Sequence, residues 1–192
     1  QGKMNLYSEV LRRRLVHTRE ASLAALANAP RDAAGRPILE DLVHDYVDQY
    51  LRELLGSPHG RNFMRLIAWE MHDPMRGGED FLRELVIPVH RAFSDALVAA
   101  APGLSREAAS WAIMSLMGQI IHVVMRWVKR HEVLPETVAG ELLEQTLPAL
   151  GGDHDEYIRK AVDYLTRFSV GGVRALTEKS ETVTPELRGE RS

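Results

Sequence analysis

The stretch WAIMSLMGQIIHVVMRWV, residues 111–128, decides the fold of this chain, because as a helix it would be apolar around nearly its whole circumference. Its polar residues are spaced so that they share one edge of that helix. A helix this apolar must be covered by other helices of the chain, by a second copy or by an apolar ligand. We call the polar residues the polar line: Ser115, Gln119, His122 and Arg126.

Length and composition limit the class of protein. A chain of 192 residues, 45% hydrophobic and 27% charged, is expected to form one soluble domain. Such a domain buries roughly 70% of the surface that its unfolded chain exposes. The net charge of −3 gives no electrostatic reason to bind a polyanion. The absence of cysteine excludes disulfides, thiolate metal sites and cysteine nucleophiles, and is typical of a reducing cytoplasm.

Targeting and membrane signals are weak. The chain does not begin with a basic segment, an apolar run and a small-residue cleavage site, so we expect no signal peptide. Residues 111–128 have the length of a membrane span. However, Gln119, His122 and Arg126 on one edge of that helix would be costly in lipid. We therefore expect a cytoplasmic protein without a membrane partner.

Hydrophobic periodicity predicts an all-α fold, an antiparallel bundle of about seven helices. Gly35 in the loop of residues 30–37, Gly56 and the Ser105 cap mark helix ends, and Pro88 predicts a kink. From residue 178 the chain is polar and aperiodic, so we expect a flexible tail over residues 178–192. The helices are predicted over about 6–27, 38–55, 58–72, 79–101, 105–130, 135–147 and 155–177.

Several short motifs resemble the TetR family of one-component transcriptional regulators. Residues 2–7, GKMNLY, are similar to the G-K-x-x-L-Y that closes that family's helix-turn-helix domain. Residues 164–176, YLTRFSVGGVRAL, are similar to the family's final helix. Between them, Gly118-Gln119 and the Glu-x-x-x-Pro formed by Glu84 and Pro88 resemble the CerR-type C-terminal subgroup. These motifs occur in the order and at the spacing found in the family, and together they span nearly the whole chain.

The resemblance implies an organisation and a function. Residues 1–177 would be an effector-binding and dimerisation domain, with residues 1–7 as the remnant of a junction to a helix-turn-helix domain that is missing from this sequence. The complete protein would be a homodimeric repressor that binds operator DNA through that domain and releases it when a small apolar effector binds. Lys3 would contact DNA phosphate only in the intact protein. No enzymatic activity, cofactor or metal is implied.

The resemblance also places the effector among the middle helices, where this chain carries methionines and aromatic residues. Such side chains adapt to irregular apolar ligands, and a few polar groups would orient the ligand. The alternative is that the same side chains simply fill a core. The predicted ligand-binding residues are Tyr46, Tyr50, Phe63, Met64, Ile67, Met71, His90, Phe93, Met114, Met117, Gln119 and His122.

In the family, the central and final helices form a four-helix bundle across a two-fold axis. Here both helices carry small residues that would permit close helix approach, and adjacent helical glycines cost about 1 kcal/mol each relative to alanine. A fraying or kinked helix end is the alternative explanation. The polar line could face either the ligand or the second copy. The predicted dimer residues are Ser115, Gly118, Ala161, Leu165, Phe168, Gly172 and Ala175.

Two other functions are compatible with the sequence. A helical metal-dependent hydrolase could use His72, Asp73, His90 and His122, although His72-Asp73 lies at a predicted helix end. The acidic run after Gly152, DHDE at residues 153–156, is better explained as N-terminal capping of the last helix. A structural dimerisation module without a ligand is the remaining alternative.

Overall fold

The computed structural model describes residues 3–56, 60, 82–132 and 153–181. Five α-helices account for most of these residues, and the all-α prediction is confirmed. A π-helical turn, Leu82–Val86, directly precedes α3. Apart from Gly60, the predicted helices at 58–72 and 135–147 lie outside the described residues. The helices are α1 Lys3–Asn28, α2 Leu39–Leu55, α3 Ile87–Ala100, α4 Arg106–Glu132 and α5 His154–Glu181.

The loop between α1 and α2 is closed by its own side chains. The Asp32 carboxylate accepts hydrogen bonds from the backbone amides of Ala34 and Arg36, both at 2.9 Å. These bonds, above all the one from the Arg36 amide, lower the pKa of Asp32. Gly35 adopts a φ of 76°, in the left-handed region that glycine enters without steric cost. The predicted loop is therefore a tight turn that reverses the chain.

Helix α2 lies at the centre of the described fold and packs against α1, α3, α4 and α5. It carries buried apolar side chains from its first residue to its last, and Gly56 follows its last residue, as predicted. The buried side chains of α2 are Leu39, Leu42, Val43, Tyr46, Val47, Leu51, Leu54 and Leu55.

The chain around Pro88 is helical without a break over residues 82–100, and its first turn is π-helical. The π-helical turn ends at Val86, and Pro88 occupies one of the first two positions of α3. Proline is tolerated in the first turn of a helix, where its fixed φ fits the helical backbone. The irregularity therefore occurs in the turn before Pro88, where π-helical geometry commonly interrupts a helix.

Helices α4 and α5 begin at the caps that the sequence predicted. The Ser105 hydroxyl accepts from the Ala108 amide at 3.1 Å, and the Asp153 carboxylate accepts from the Glu156 amide at 2.9 Å. The two helices pack together near the start of α5, where the Tyr157 hydroxyl donates to the Val123 carbonyl at 2.8 Å. Helix α5 continues to Glu181, beyond the predicted end at residue 177.

The apolar stretch of α4 has two different sides. Arg106–Trp127 is long and apolar enough to cross a membrane by length and composition, and 33% of its apolar window is buried. Its inner side, which includes Ile113, Ile120 and Val124, packs into the core. Its outer side carries exposed Trp111 and Met114. Among the residues that the structure describes, the inner side is thus covered by the rest of the fold, and the outer side is not.

Candidate functional sites

An aromatic cluster joins α2, α3 and α4 in the interior. The Tyr46 ring lies 4.2 Å from that of Phe93 and 5.5 Å from that of Tyr50, measured between centroids. The Tyr46 hydroxyl donates to the Met117 sulfur at 3.6 Å. Tyr46 and Phe93 are almost fully buried. The structure therefore brings together four of the predicted ligand-binding residues.

The cluster carries no charge at neutral pH. Burial raises the pKa of Tyr46 well above its ordinary value, and the neighbouring Tyr50 adds to the effect. Burial likewise raises the pKa of Tyr50, with a smaller contribution from the Glu53 carboxylate. Both phenols therefore stay neutral, because a buried phenolate would be poorly solvated. The cluster offers aromatic and thioether surface together with two neutral hydroxyl groups.

The other predicted ligand-binding residues are distributed differently. His90 is half-buried on α3, whereas Met114 lies on the outer side of α4 with an exposed fraction of 59%. Gln119 and His122 line a surface groove instead of joining the aromatic cluster. Phe63, Met64, Ile67 and Met71 lie outside the described residues.

The surface groove runs between α4 and α5 and has a volume of about 440 Å³. All four residues of the polar line face it, together with four of the seven predicted dimer residues, Ser115, Gly118, Ala161 and Leu165. Its α5 wall includes Ala161 and Leu165, which are buried within the protomer. The groove is lined by Ser115, Gly118, Gln119, His122, Val123, Arg126, Ala161, Tyr164 and Leu165.

Exposed apolar side chains accompany the groove on both helices. Tyr164 and Phe168 of α5 are 67% and 59% exposed, and Trp111 of α4 is 60% exposed. Contiguous exposed apolar surface of this kind commonly marks an interaction site. We define the outer face as the groove together with Trp111, Met114, Ile121, Phe168, Gly171, Gly172 and Ala175, all of which are exposed.

The glycines of α4 and α5 are not explained by packing within the described part of the chain. A Cβ atom built at Gly118, Gly171 or Gly172 would meet nothing within 4 Å. An alanine would therefore fit at each position and would favour the helix by about 1 kcal/mol. No neighbouring helix among the described residues presses on these glycines.

Helix α1 is attached to α2 by a polar cluster that the sequence did not predict. The Glu53 carboxylate accepts from the Thr18 hydroxyl at 2.6 Å and from the Gln49 amide at 2.8 Å. Arg14 lies 3.2 Å from the same carboxylate, whose side chain is only 10% exposed. Arg13, by contrast, pairs with Glu9 on the surface. Of these two neighbouring arginines, one is therefore part of the contact between α1 and α2, and the other pairs on the surface of α1.

Candidate metal ligands are not gathered in the part of the chain that the structure describes. Among residues 3–56, 82–132 and 153–181, no group of three or more His, Asp or Glu side chains could hold a metal ion. His44 and Asp45 contact each other at 3.1 Å on the surface, and His154 and Asp155 do the same. His72 and Asp73, which the alternative of a metal-dependent hydrolase would use, lie outside the described residues.

A protein-family model matches the chain over residues 44–172, more than half of its length. That model describes a tetracyclin repressor-like C-terminal domain, the part of such regulators associated with ligand binding and dimerisation. The chain belongs to this TetR-like family. The matched region contains the aromatic cluster and the whole groove. No curated protein and no solved structure matches the chain significantly.

Proposed function

We propose that this chain is the effector-sensing and dimerising domain of a cytoplasmic TetR-like transcriptional repressor. The observation that supports the proposal is that neighbouring residues of α4 face two different candidate sites. Met117 contacts the aromatic cluster, and the adjacent Gly118 lines the outward groove. One helix thus separates a candidate ligand wall from a candidate dimer face. The CerR-type subgroup remains a prediction from the motifs.

A homodimer accounts for the composition of the outer face. Trp111, Tyr164 and Phe168 would lose their unfavourable contact with water when a second copy covers them. Gly118, Gly171 and Gly172 leave room for another backbone to approach closely, which would explain glycines that packing among the described residues does not require. A two-fold axis would place the same face on both partners.

A small apolar effector accounts for the composition of the aromatic cluster. An adaptable wall for such a ligand is formed by Tyr46, Tyr50, Phe93 and Met117. Its two neutral hydroxyl groups could orient a polar group of the ligand. In this proposal the predicted residues at positions 63, 64, 67 and 71, together with His90, complete the pocket.

Helix α1 is suited to transmit a change in the pocket. Its N-terminal end carries the GKMNLY motif, which would join it to a helix-turn-helix domain in the complete regulator. Thr18 and Arg14 attach it to Glu53 of α2, and Arg19 attaches it to Glu84 of the π-helical turn. An effector that prefers one arrangement of α2 and α3 would shift the population of α1 positions and thereby release operator DNA.

The proposal is tested in two steps with the 192-residue chain. Sedimentation equilibrium should give a dimer for the unchanged chain and a monomer for Phe168→Asp, because the carboxylate would be buried without a partner. Ala99→Asp, on an exposed position of α3, is the control and should leave the dimer intact. A monomeric unchanged chain would contradict the dimer face.

The effector is tested by a thermal-shift panel of apolar compounds. At least one compound should raise the melting temperature of the unchanged chain and not that of Phe93→Ala, which alters the cluster wall. If the chain forms a dimer and no compound in the panel raises its melting temperature, the result would favour a structural dimerisation module without a ligand.

A further inference from the structure

We propose that the outer face contains a pH switch, in which neutral His122 permits two copies to pair and protonated His122 separates them. This inference rests on the proposed dimer face and adds a mode of regulation to it. Three features support it: the hydrogen bond that His122 makes, the charges that line the groove, and the doubling of those charges by two-fold symmetry.

The hydrogen bond at His122 requires a neutral ring. Arg126 Nε donates to His122 Nε2 at 3.2 Å, so Nε2 must carry a lone pair. A protonated imidazole has no acceptor, and its charge would repel the guanidinium one helical turn away. Protonation therefore replaces an attractive contact in the groove with a repulsive one.

None of the described residues that line the groove carries a negative charge that would compensate a second positive one. Among the described side chains that line it, Arg126 is the only one that carries a charge at neutral pH, and Tyr164 is the only other titratable group besides His122. The carboxylates of neighbouring α5 residues have cationic partners of their own. Asp163 lies 3.5 Å from Arg167, and Glu156 lies 2.8 Å from Lys160.

Pairing of two copies would amplify this effect. In an isologous interface each residue of the groove occurs twice, so two protonated His122 side chains would join two Arg126 side chains. Covering the groove with a second copy removes water that would otherwise screen these charges. The neutral ring is thus favoured in the dimer. The dimer should therefore weaken as the pH falls through the range in which histidine side chains take up a proton.

The test is sedimentation equilibrium of the 192-residue chain at about pH 8 and about pH 5.5, on either side of the ordinary histidine value. If both His122 rings must lose a proton on pairing, the dissociation constant should rise by up to about a hundredfold at the lower pH. His122→Gln keeps a neutral acceptor that does not titrate, and its dissociation constant should change less than about threefold between the two pH values. Circular dichroism at both pH values verifies that the chain stays helical.

His44→Gln is the matched control, because His44 is an exposed histidine on α2 that does not line the groove. This variant should retain the full pH dependence. A dimer of equal strength at both pH values, or pH dependence that survives in His122→Gln, would overturn the switch and leave the dimer face standing. A tighter dimer at the lower pH would overturn it too, since that result would place a carboxylate of the second copy beside His122. The absence of a dimer at about pH 8 would instead refute the dimer face itself.

Discussion

The guanidinium of Arg19 donates to two acceptors of Glu84, the carboxylate at 2.8 Å and the backbone carbonyl at 3.3 Å. The second contact has a local cause. Pro88 has no N–H to donate to the carbonyl four residues earlier, which is that of Glu84. Arg19 supplies a donor from α1 to this carbonyl. The π-helical turn is thereby tied to the helix that the proposal assigns to signal transmission.

Breaking this contact should loosen the π-helical turn without unfolding the chain. The side chains of Arg19 and Glu84 are 26% and 40% exposed, so solvent screens their interaction. A double-mutant cycle of Arg19→Met and Glu84→Gln should therefore give a coupling energy of about 1 kcal/mol. Hydrogen exchange at Leu82–Val86 should become faster in Arg19→Met. Arg13→Met, which removes a surface pair with Glu9, is the control and should leave that exchange rate unchanged. Equal exchange in all variants would contradict the link.

The aromatic cluster should contribute strongly to stability. Phe93 is fully buried, so Phe93→Ala should lower the free energy of unfolding by about 3–5 kcal/mol, measured by urea denaturation. Tyr46→Phe loses only the hydrogen bond to Met117 and should cost about 1 kcal/mol or less. A cost below about 1 kcal/mol for Phe93→Ala would indicate that the cluster is loosely packed.

Substitution of the α5 glycines separates their effect on the helix from their effect on pairing. In the Phe168→Asp background, expected to be monomeric, Gly171→Ala and Gly172→Ala should each raise the free energy of unfolding by about 1 kcal/mol. In the unchanged background the added methyl groups should weaken dimerisation, because another backbone would no longer fit closely.

The control for the glycine substitutions is Ala99→Gly on α3, an exposed helical position. It should lower helix stability and leave the dissociation constant of the dimer unchanged. If Gly171→Ala and Gly172→Ala stabilised the chain and left dimerisation at full strength, the glycines would not be points of close approach.

Burial of Tyr50 predicts a loss of stability at alkaline pH. Because its folded-state pKa is raised, the neutral phenol stabilises the folded chain below the ordinary tyrosine value of about 10, and this contribution declines as the pH rises above that value. The free energy of unfolding should fall by up to about 1.4 kcal/mol per pH unit for each such tyrosine. Urea denaturation between about pH 8 and pH 11 measures this slope. Tyr50→Phe should make it shallower, and parallel slopes would contradict the burial effect.

The elements that could be predicted from sequence depend on atoms close together in the chain. Ser105 and Asp153 cap the helices that follow them, and Gly35 supplies the left-handed turn after α1. The buried stripe of α2 follows from its 3.6-residue periodicity. The π-helical turn before Pro88 was not predicted, because proline indicates an interruption and not its geometry.

The candidate sites were only partly predictable. The side chains of Glu53 and Thr18 meet although 35 positions separate them, and those of Arg19 and Glu84 meet across 65 positions. Nothing local in the sequence indicates such pairs. Met114 and Met117 have the same side chain, yet one is exposed on the outer face and the other contacts Tyr46.

The sequence by itself determined the helical class, most helix ends and the family motifs, because caps, turns and periodicity act between neighbouring residues. Only the tertiary structure decided which side of α4 faces the core, where the polar line lies and which arginines of α1 have partners in other elements. The physical reason is that a helix apolar on nearly all sides has no periodicity that selects an inner face. The packing of α2, α3 and α5 against α4 makes that selection.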